Sequence, residues 1–449
     1  MKVKAFFYKF TPYQVIVAYY FIAVIVSTLL LHLPFALQEG VQLSFIDTLF
    51  IAVSAISVTG LSVVDITETF SVIGYLILIF ILQFGGIGIM TLGTFIWLVL
   101  RKRIGLQERR LIMTDQNQIS LSGLVVLVKQ VLFLILLIEA VGFLILGIYL
   151  LKYYPSLPEA LLQGLFMSVS ATTNAGFDIV GASLVPFAND YFIQFINMML
   201  IILGAIGFPV LIEVKSFLFR KDNHHFFRFS LFTKLTTSTY FALILFGLIM
   251  IFLLEYSHFL AGKSWHEKIF YSLFQSVTTR NAGLATMDMA DFSVPTLLIL
   301  SVLMFIGASP SSVGGGIRTT TFAVICLSIY HFARGNRHVR VFKREIHETD
   351  IMKAFVVIIV AGILCFTATV LLCVFEPFSL IAIIFEVCSA FGTTGLSLGI
   401  TADLTFPSKV VMILLMFIGR IGIISFLLIF GREKIKDHYK LLKERVIIG

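Results

Sequence analysis

The chain has 449 residues, of which 59% are hydrophobic and 13% charged, and its mean hydropathy is +1.01. A soluble domain is about half apolar and a quarter charged, so this composition excludes a water-soluble globular protein and predicts an integral membrane protein. The net charge of +8 does not imply a nucleic-acid partner, because most of the 33 Lys and Arg residues fall in five clusters: Lys2, Lys4 and Lys9, then the stretches 101–129, 215–234, 334–353 and 432–445. Clusters at such intervals are what the positive-inside rule requires of cytoplasmic segments, so both termini are expected in the cytoplasm of a multi-pass cell-membrane protein, in contact with lipid. The first apolar run, 15–31, is long enough to span and has no small-residue cleavage site after it. Cys326, Cys365, Cys373 and Cys388 lie in apolar segments with no metal-ligand spacing.

In chain order, the basic clusters separate four stretches of the same content. Each has a long apolar run, a shorter apolar helix, a Gly-bearing loop and a second apolar run. The first runs are 13–33, 124–152, 233–256 and 351–375, and the second are 71–100, 192–219, 295–333 and 409–430. A bilayer core of about 30 Å needs roughly 20 residues of helix, which predicts eight spans. The short pieces align as SAISVTGL, SATTNAGF, SVTTRNAGL and SAFGTTGL, ending on Gly60, Gly176, Gly283 and Gly395 at separations of 116, 107 and 112 residues. A second marker follows each: Gly85, Gly204, Gly307 and Gly419 open GGIG, GAIG, GASP and GRIG, at offsets of 25, 28, 24 and 24. Two markers at near-constant offset mean one unit used four times. The boundaries are 1–105, 106–222, 223–345 and 346–433, with a cytoplasmic tail at 434–449.

The helix before Gly60, about 13 residues from 44 to 56, is too short to span. It is expected to enter from outside, end within the membrane and aim its negative C-terminal end at an axis. Irregular backbone at that depth is tolerated only inside protein or along a water-filled path, and four units around an axis supply one. Four loops would then make rings of carbonyl oxygens that replace a cation's hydration shell. The residues singled out for this are Ser57, Val58, Thr59 and Gly60; Thr173, Asn174, Ala175 and Gly176; Arg280, Asn281, Ala282 and Gly283; and Gly392, Thr393, Thr394 and Gly395. None carries a carboxylate, which favours monovalent over divalent ions. Simple turn chemistry in outer loops would explain the glycines but not the short apolar helix before each.

These units resemble the Trk/Ktr/HKT superfamily of potassium translocators over almost the whole chain, about residues 13–433, on the motifs VTG, NAG, NAG and GTTG. A single span before the first pore helix and short connecting loops resemble the membrane subunit of a bacterial Ktr system. The resemblance implies four M1–P-loop–M2 units (eight spans and four re-entrant pore helices) around a pseudo-fourfold pore. It also implies a homodimer with one pore per protomer and a cytoplasmic ring of adenine-nucleotide-binding regulatory subunits of the KtrA or KtrC kind. K+ is the implied ion, bound by backbone carbonyls, and Na+ often assists uptake in this family. The alternative is an alternating-access cation transporter, since broken helices mark those too. No paired acids, His cluster or nucleophile motif at membrane depth suggests an enzyme.

The third unit is expected to be the only one with an interrupted second span. Its run GASPSSVGGGIRTTT cuts the span into two halves of 12 residues, each rising about 18 Å. Pro310 and the run Gly314, Gly315 and Gly316 disfavour helix, so Gly307, Ala308, Ser309, Pro310, Ser311, Ser312, Val313, Gly314, Gly315, Gly316, Ile317 and Arg318 are expected to loop across the path as a gate. Arg420, in GRIG, is expected to donate to carbonyls of this loop; pairing with Glu139 or Glu386 is the competing expectation. Arg280 is expected to point behind its loop, braced by an acid. GGIGIMTLG reads as close helix packing, and His224, His225 and the amphipathic tail 432–449 as cytoplasmic.

Overall fold

The computed structural model describes residues 11–88, 109, 111, 113, 123–219 and 227–429. The N-terminal lysines, most of the 101–129 cluster, His224, His225 and the tail 432–449 lie outside them.

Helix starts follow the sequence closely. Helix α1 (Pro12–Leu31) opens with Pro12 at its first position and a reciprocal cap, in which Thr11 Oγ1 accepts from Gln14 N–H and Gln14 Oε1 from Thr11 N–H. Ser44 caps α2 (Phe45–Ser57), where Asp47 sits favourably in the first turn, and Ser71 caps α3 (Val72–Ile87). The second group is α4 (Leu124–Tyr149), α5 (Leu157–Thr173), α6 (Tyr191–Ala205) and α7 (Phe208–Leu218). The third is α8 (Leu231–Glu255), α9 (Trp265–Thr278), α10 (Val294–Ile306) and α11 (Thr319–Ala333). The last is α12 (Glu348–Phe375), α13 (Leu380–Gly392), α14 (Phe406–Ile421) and α15 (Ile423–Ile429). A small antiparallel hairpin, β1 (Arg340–Val341) and β2 (Arg344–Glu345), joins α11 to α12.

By length and composition, α1, α12, α8 and α4 with its short continuation to Lys152 can each cross a membrane. The pairs α6–α7 and α14–α15 also qualify if each is one span, but they bend by 104° and 102°. This corrects the expectation that only the third unit is interrupted. The bends fall at Gly207 (φ +104°) and Gly422 (φ +87°), and α3 ends at Gly88 (φ +95°). These are the last residues of GAIG, GRIG and GGIG, at positive φ with extended ψ, a conformation that favours glycine and that a helix cannot continue through. The equivalent residue of GASP is Pro310, and there the chain turns earlier, at Gly307 (φ +63°).

The short helices are the most deeply placed: Phe50 of α2, Phe166 of α5, Phe274 of α9 and Phe385 of α13 are fully buried. The long helices instead expose large apolar side chains, among them Phe21, Phe133, Phe246 and Phe366, as a lipid-facing exterior does. In lipid, helices associate through close packing and hydrogen bonds rather than apolar burial. Accordingly Ser168 of α5 donates to the Glu139 carbonyl of α4 (2.9 Å) and Ser276 of α9 to the Ile244 carbonyl of α8 (2.6 Å), with Gly142 and Gly147, and Gly247, leaving room for the approach.

Packing runs in a circle. Helix α3 touches both α2 and α5, α6 touches α5 and α9, α10 touches α13, and α14 touches α13 and α2. A Lys409–Asp47 ion pair (2.7 Å) closes the last group onto the first. Within a group, acids tie the first long helix to the next: Glu255 accepts from Ser293 and Thr296, and Glu376 from Thr405. Asp190 does the same in reverse, accepting from Tyr149 and Tyr153 beside Lys152. Partial burial opposes its charge, but those hydroxyls, the Ile193 N–H and Lys152 outweigh it and hold its carboxyl below the usual range.

Candidate functional site

Each short helix is followed by one non-glycine residue of positive φ, directly after the last helical residue in the first, second and fourth and three residues after it in the third, and two residues later by a glycine of positive φ. The pairs are Val58 and Gly60, Asn174 and Gly176, Asn281 and Gly283, and Thr393 and Gly395. In the first, second and fourth segments the helix end is a Schellman motif, with Thr59 N–H donating to Ser54 O, Ala175 to Ser170 O and Thr394 to Ser389 O, each at 2.8 Å. In the third, Ala282 donates to Thr278 O at 2.8 Å, one residue nearer.

The four glycines meet side by side. A Cβ on Gly60 would strike Ala175 O, one on Gly176 would strike Ala282 O, one on Gly283 Thr394 O, and one on Gly395 Thr59 O, all within 3.0 Å. Neighbours follow chain order and the last meets the first, so the segments form a closed ring with no room for a side chain at those positions. Hydroxyls hold it from behind. Ser54 Oγ accepts from Gly60 N–H and Ser389 Oγ from Gly395 N–H (3.1 Å each), while Ser170 and Thr278 donate to the Phe177 and Leu284 carbonyls (2.5 Å each). The sequence reading passed over these four residues, although three of them open the aligned segments. The third segment carries one extra residue, so Thr278 takes the part that Ser276 would have had.

Glycines of the second marker have a shared task. Gly85, Gly204 and Gly419 lie against the carbonyls of Ile56, Thr172 and Phe391, each four residues before a ring glycine. In GGIGIMTLG, Gly85 thus packs on the end of a short helix; the part of the run from residue 89 onward lies outside the described residues.

The third unit departs here because Arg280 fills this place. Its fully buried guanidinium donates to Leu303 O (3.1 Å) and Gly307 O at the end of α10 and lies 5.7 Å from the Tyr240 ring centroid. It points away from the ring, as expected, but the brace is a pair of helix-end carbonyls and an aromatic face rather than an acid. A helix C-terminus already carries partial negative charge, which removes the need for a carboxylate.

Residues 307–318 fold back as a loop between α10 and α11. Its backbone satisfies groups left open by the α6–α7 bend: Ser309 N–H donates to Ala205 O (3.1 Å), Val313 N–H to Gly204 O (3.4 Å), and Phe208 N–H to Ser311 O (2.8 Å). Internal bonds fix its shape, from Ala308 N–H to Gly315 O, Ile317 N–H to Phe305 O, and Ser312 Oγ to Ser309 O. Arg318 donates to Gly314 O. Arg420 donates to Val313 O and to Gly85 O, joining the loop to the end of α3. Glu139 instead accepts from Gln83, and Glu386 from Ser397, Thr401 and Leu398 N–H. The loop also touches the ring, where Gly315 N–H donates to Thr393 Oγ1 (2.8 Å). Among the described residues no group of His, Cys, Asp and Glu is placed to hold a metal ion.

The chain has known relatives in sequence and in fold. The family profile of the TrkH cation transport proteins matches residues 3–439. The chain is 62% identical over 439 residues to the Ktr system potassium uptake protein D of Bacillus subtilis, covering 98% of this chain and 97% of that one. It is 37% identical to the Ktr system potassium uptake protein B of Vibrio alginolyticus, over 88% and 86% of the two chains. It is 30% identical to the potassium/sodium uptake protein NtpJ of Enterococcus hirae, over 98% of each. The crystal structure of the potassium transporter TrkH from Vibrio parahaemolyticus shares the fold at a TM-score of 0.71 and 19% identity, over 92% of this chain and 84% of that one. With its profile match spanning nearly every residue and its relatives aligned end to end, the chain belongs to the TrkH family of cation transport proteins.

Proposed function

We propose that this chain is the potassium-translocating membrane subunit of a Ktr-type uptake system. The closed ring of Gly60, Gly176, Gly283 and Gly395 carries the reading. Four short helices end at it with their negative poles, and the loops 57–60, 173–176, 280–283 and 392–395 form a selectivity filter of backbone carbonyls that strips water from K+. Each segment keeps one glycine where a strict potassium filter has two, so rejection of sodium is incomplete. Four units, bounded as in the sequence reading, supply eight spans around this axis, with both termini in the cytoplasm. The loop 307–318 with Arg420 is the gate, lying across the path beneath the ring. Regulation comes in trans from a cytoplasmic nucleotide-binding ring acting on a homodimer, a reading supported by relatives named as parts of a Ktr system. A role for sodium draws on the relative named for both ions.

Alternating access is the second reading, favoured by the bent helices α6–α7 and α14–α15. One experiment separates the two. The chain is expressed with its regulatory partner in cells lacking potassium uptake, and rubidium and sodium entry are measured for the wild type and for Gly283→Ser. A side chain at Gly283 meets Thr394 O and the Gly176 and Gly395 Cα atoms. Rubidium affinity should therefore fall and the rubidium-to-sodium ratio approach one. An unchanged ratio at normal expression removes the four-segment filter and leaves the carrier.

A further inference from the structure

Thr393 stands in the left-handed region at φ +52°. For a β-branched residue this is an outlier, and such strain persists only where the surroundings hold it. Here they do. The Thr393 hydroxyl oxygen accepts from Asn281 Nδ2 of the neighbouring segment (3.0 Å) and from Gly315 N–H of the folded-back loop (2.8 Å). A hydroxyl has two acceptor positions, so both are taken. Asn281 also donates to Gly392 O and to Thr393 O (3.2 Å). The loop is shaped for this contact: a Cβ on Gly315 would stand 2.6 Å from Thr393 Oγ1 and 2.8 Å from Gly419 O. Among the described residues no other segment shows this hydrogen bond to the loop, although Gly314 lies against the Asn281 amide of the third. Val58, the counterpart in the first, has no hydroxyl. Asn174, in the second, with its amide oriented to donate, reaches the Ala171 and Ile201 carbonyls (2.8 and 3.3 Å) behind its own helix.

We infer that Thr393 is a positioning residue that couples the loop to the ring. With the loop seated, Thr393 Oγ1 is engaged by Gly315, and the third and fourth segments are locked through Asn281. When the loop withdraws, one acceptor position of Thr393 is freed, and the fourth segment loses one of the bonds that hold its strained residue. Loop position and ring geometry are then one equilibrium, and each biases the other. The inference rests on the reading of the ring as a filter and of the loop as its gate.

The test is a double-mutant cycle on the full chain in cells lacking potassium uptake, with surface expression matched and the regulatory partner left out. Thr393→Val keeps the shape and removes the acceptor. It should raise rubidium entry about fivefold, the population shift given by one lost hydrogen bond of about 1 kcal/mol, while Thr393→Ser behaves as wild type. Gly315→Ala pushes the loop off an intact hydroxyl and should match Thr393→Val. In a chain lacking 311–317, the increase in rubidium entry from Thr393→Val should be lost, and the effect of the missing Asn281 bond should remain only in the rubidium-to-sodium ratio. In purified protein Thr393→Val should also speed hydrogen exchange at the Gly315 amide, a readout that local damage to the ring would not move. Equal increases with and without the loop, or Thr393→Ser behaving like Val, overturn the coupling while the path itself stands. If neither wild type nor the loop-deleted chain admits rubidium, the path and the coupling fall together.

Discussion

The α6–α7 bend and the 307–318 loop break their helices just past the same repeated marker, with opposite results. The first turns through 104° across Ile206 and Gly207 and spends no extra chain. The second takes twelve residues to pass from α10 to α11. Yet each completes the other, because open carbonyls and an N–H at the bend are the partners of open groups in the loop. Unpaired backbone in a membrane costs several kcal/mol per group. A break there is stable only if something caps it, and here one break caps another. Interruption alone therefore does not distinguish the third unit; carrying enough chain to serve its neighbours does.

The largest effect should come from removing the loop's share of this exchange. Deletion within 311–317, or Arg420→Ala, should raise rubidium flux at saturating potassium several-fold, the deletion more; unchanged flux at normal expression would exclude a gate. Next is Gly207→Ala against Gly422→Ala. Both force a side chain into a positive-φ, extended-ψ conformation that favours glycine, at about 1–3 kcal/mol. Only the Gly207 change also meets the loop, at Pro310 O (2.9 Å), whereas nothing lies within 4 Å of Gly422. Gly207→Ala should lower thermal stability in detergent and raise basal flux, and Gly422→Ala should lower stability alone. Equal flux changes would mean the bend does not seat the loop. The smallest effect is expected behind the ring, where Ser54→Ala leaves Gly60 N–H without its acceptor. A loss of about 1–3 kcal/mol should shift the rubidium-to-sodium ratio modestly, measured by competition uptake.

Much of this was legible beforehand. Four short helices followed by loops that reach Gly60, Gly176, Gly283 and Gly395 were visible because glycine at fixed spacing answers a backbone demand that no other residue meets. The contact from Arg420 to the loop was readable because a lone arginine in an apolar run must find acceptors. The bends were missed although their residues were in plain view. The final glycine of GGIG was read as packing and those of GAIG and GRIG only as parts of a repeated marker, since a helix tolerates an isolated glycine and only φ tells a bend from a close approach. The Arg280 brace was misjudged because an aromatic face and helix-end carbonyls leave no signature near residue 280. The link from Asn281 to Thr393 spans 112 residues, beyond any local pattern.

Because one chain closes the ring by itself, each quarter can differ. In a pore of four identical subunits, an arginine placed beneath the ring would appear as four positive charges, and a threonine tie would bind from every side. Here Arg420 contributes one charge and Thr393 one tether, so a substitution is felt in a single dose. A loop tied to the ring through Thr393 alone is an arrangement that only a ring of unlike quarters can hold, and under the proposed function it makes the gate act on one quarter.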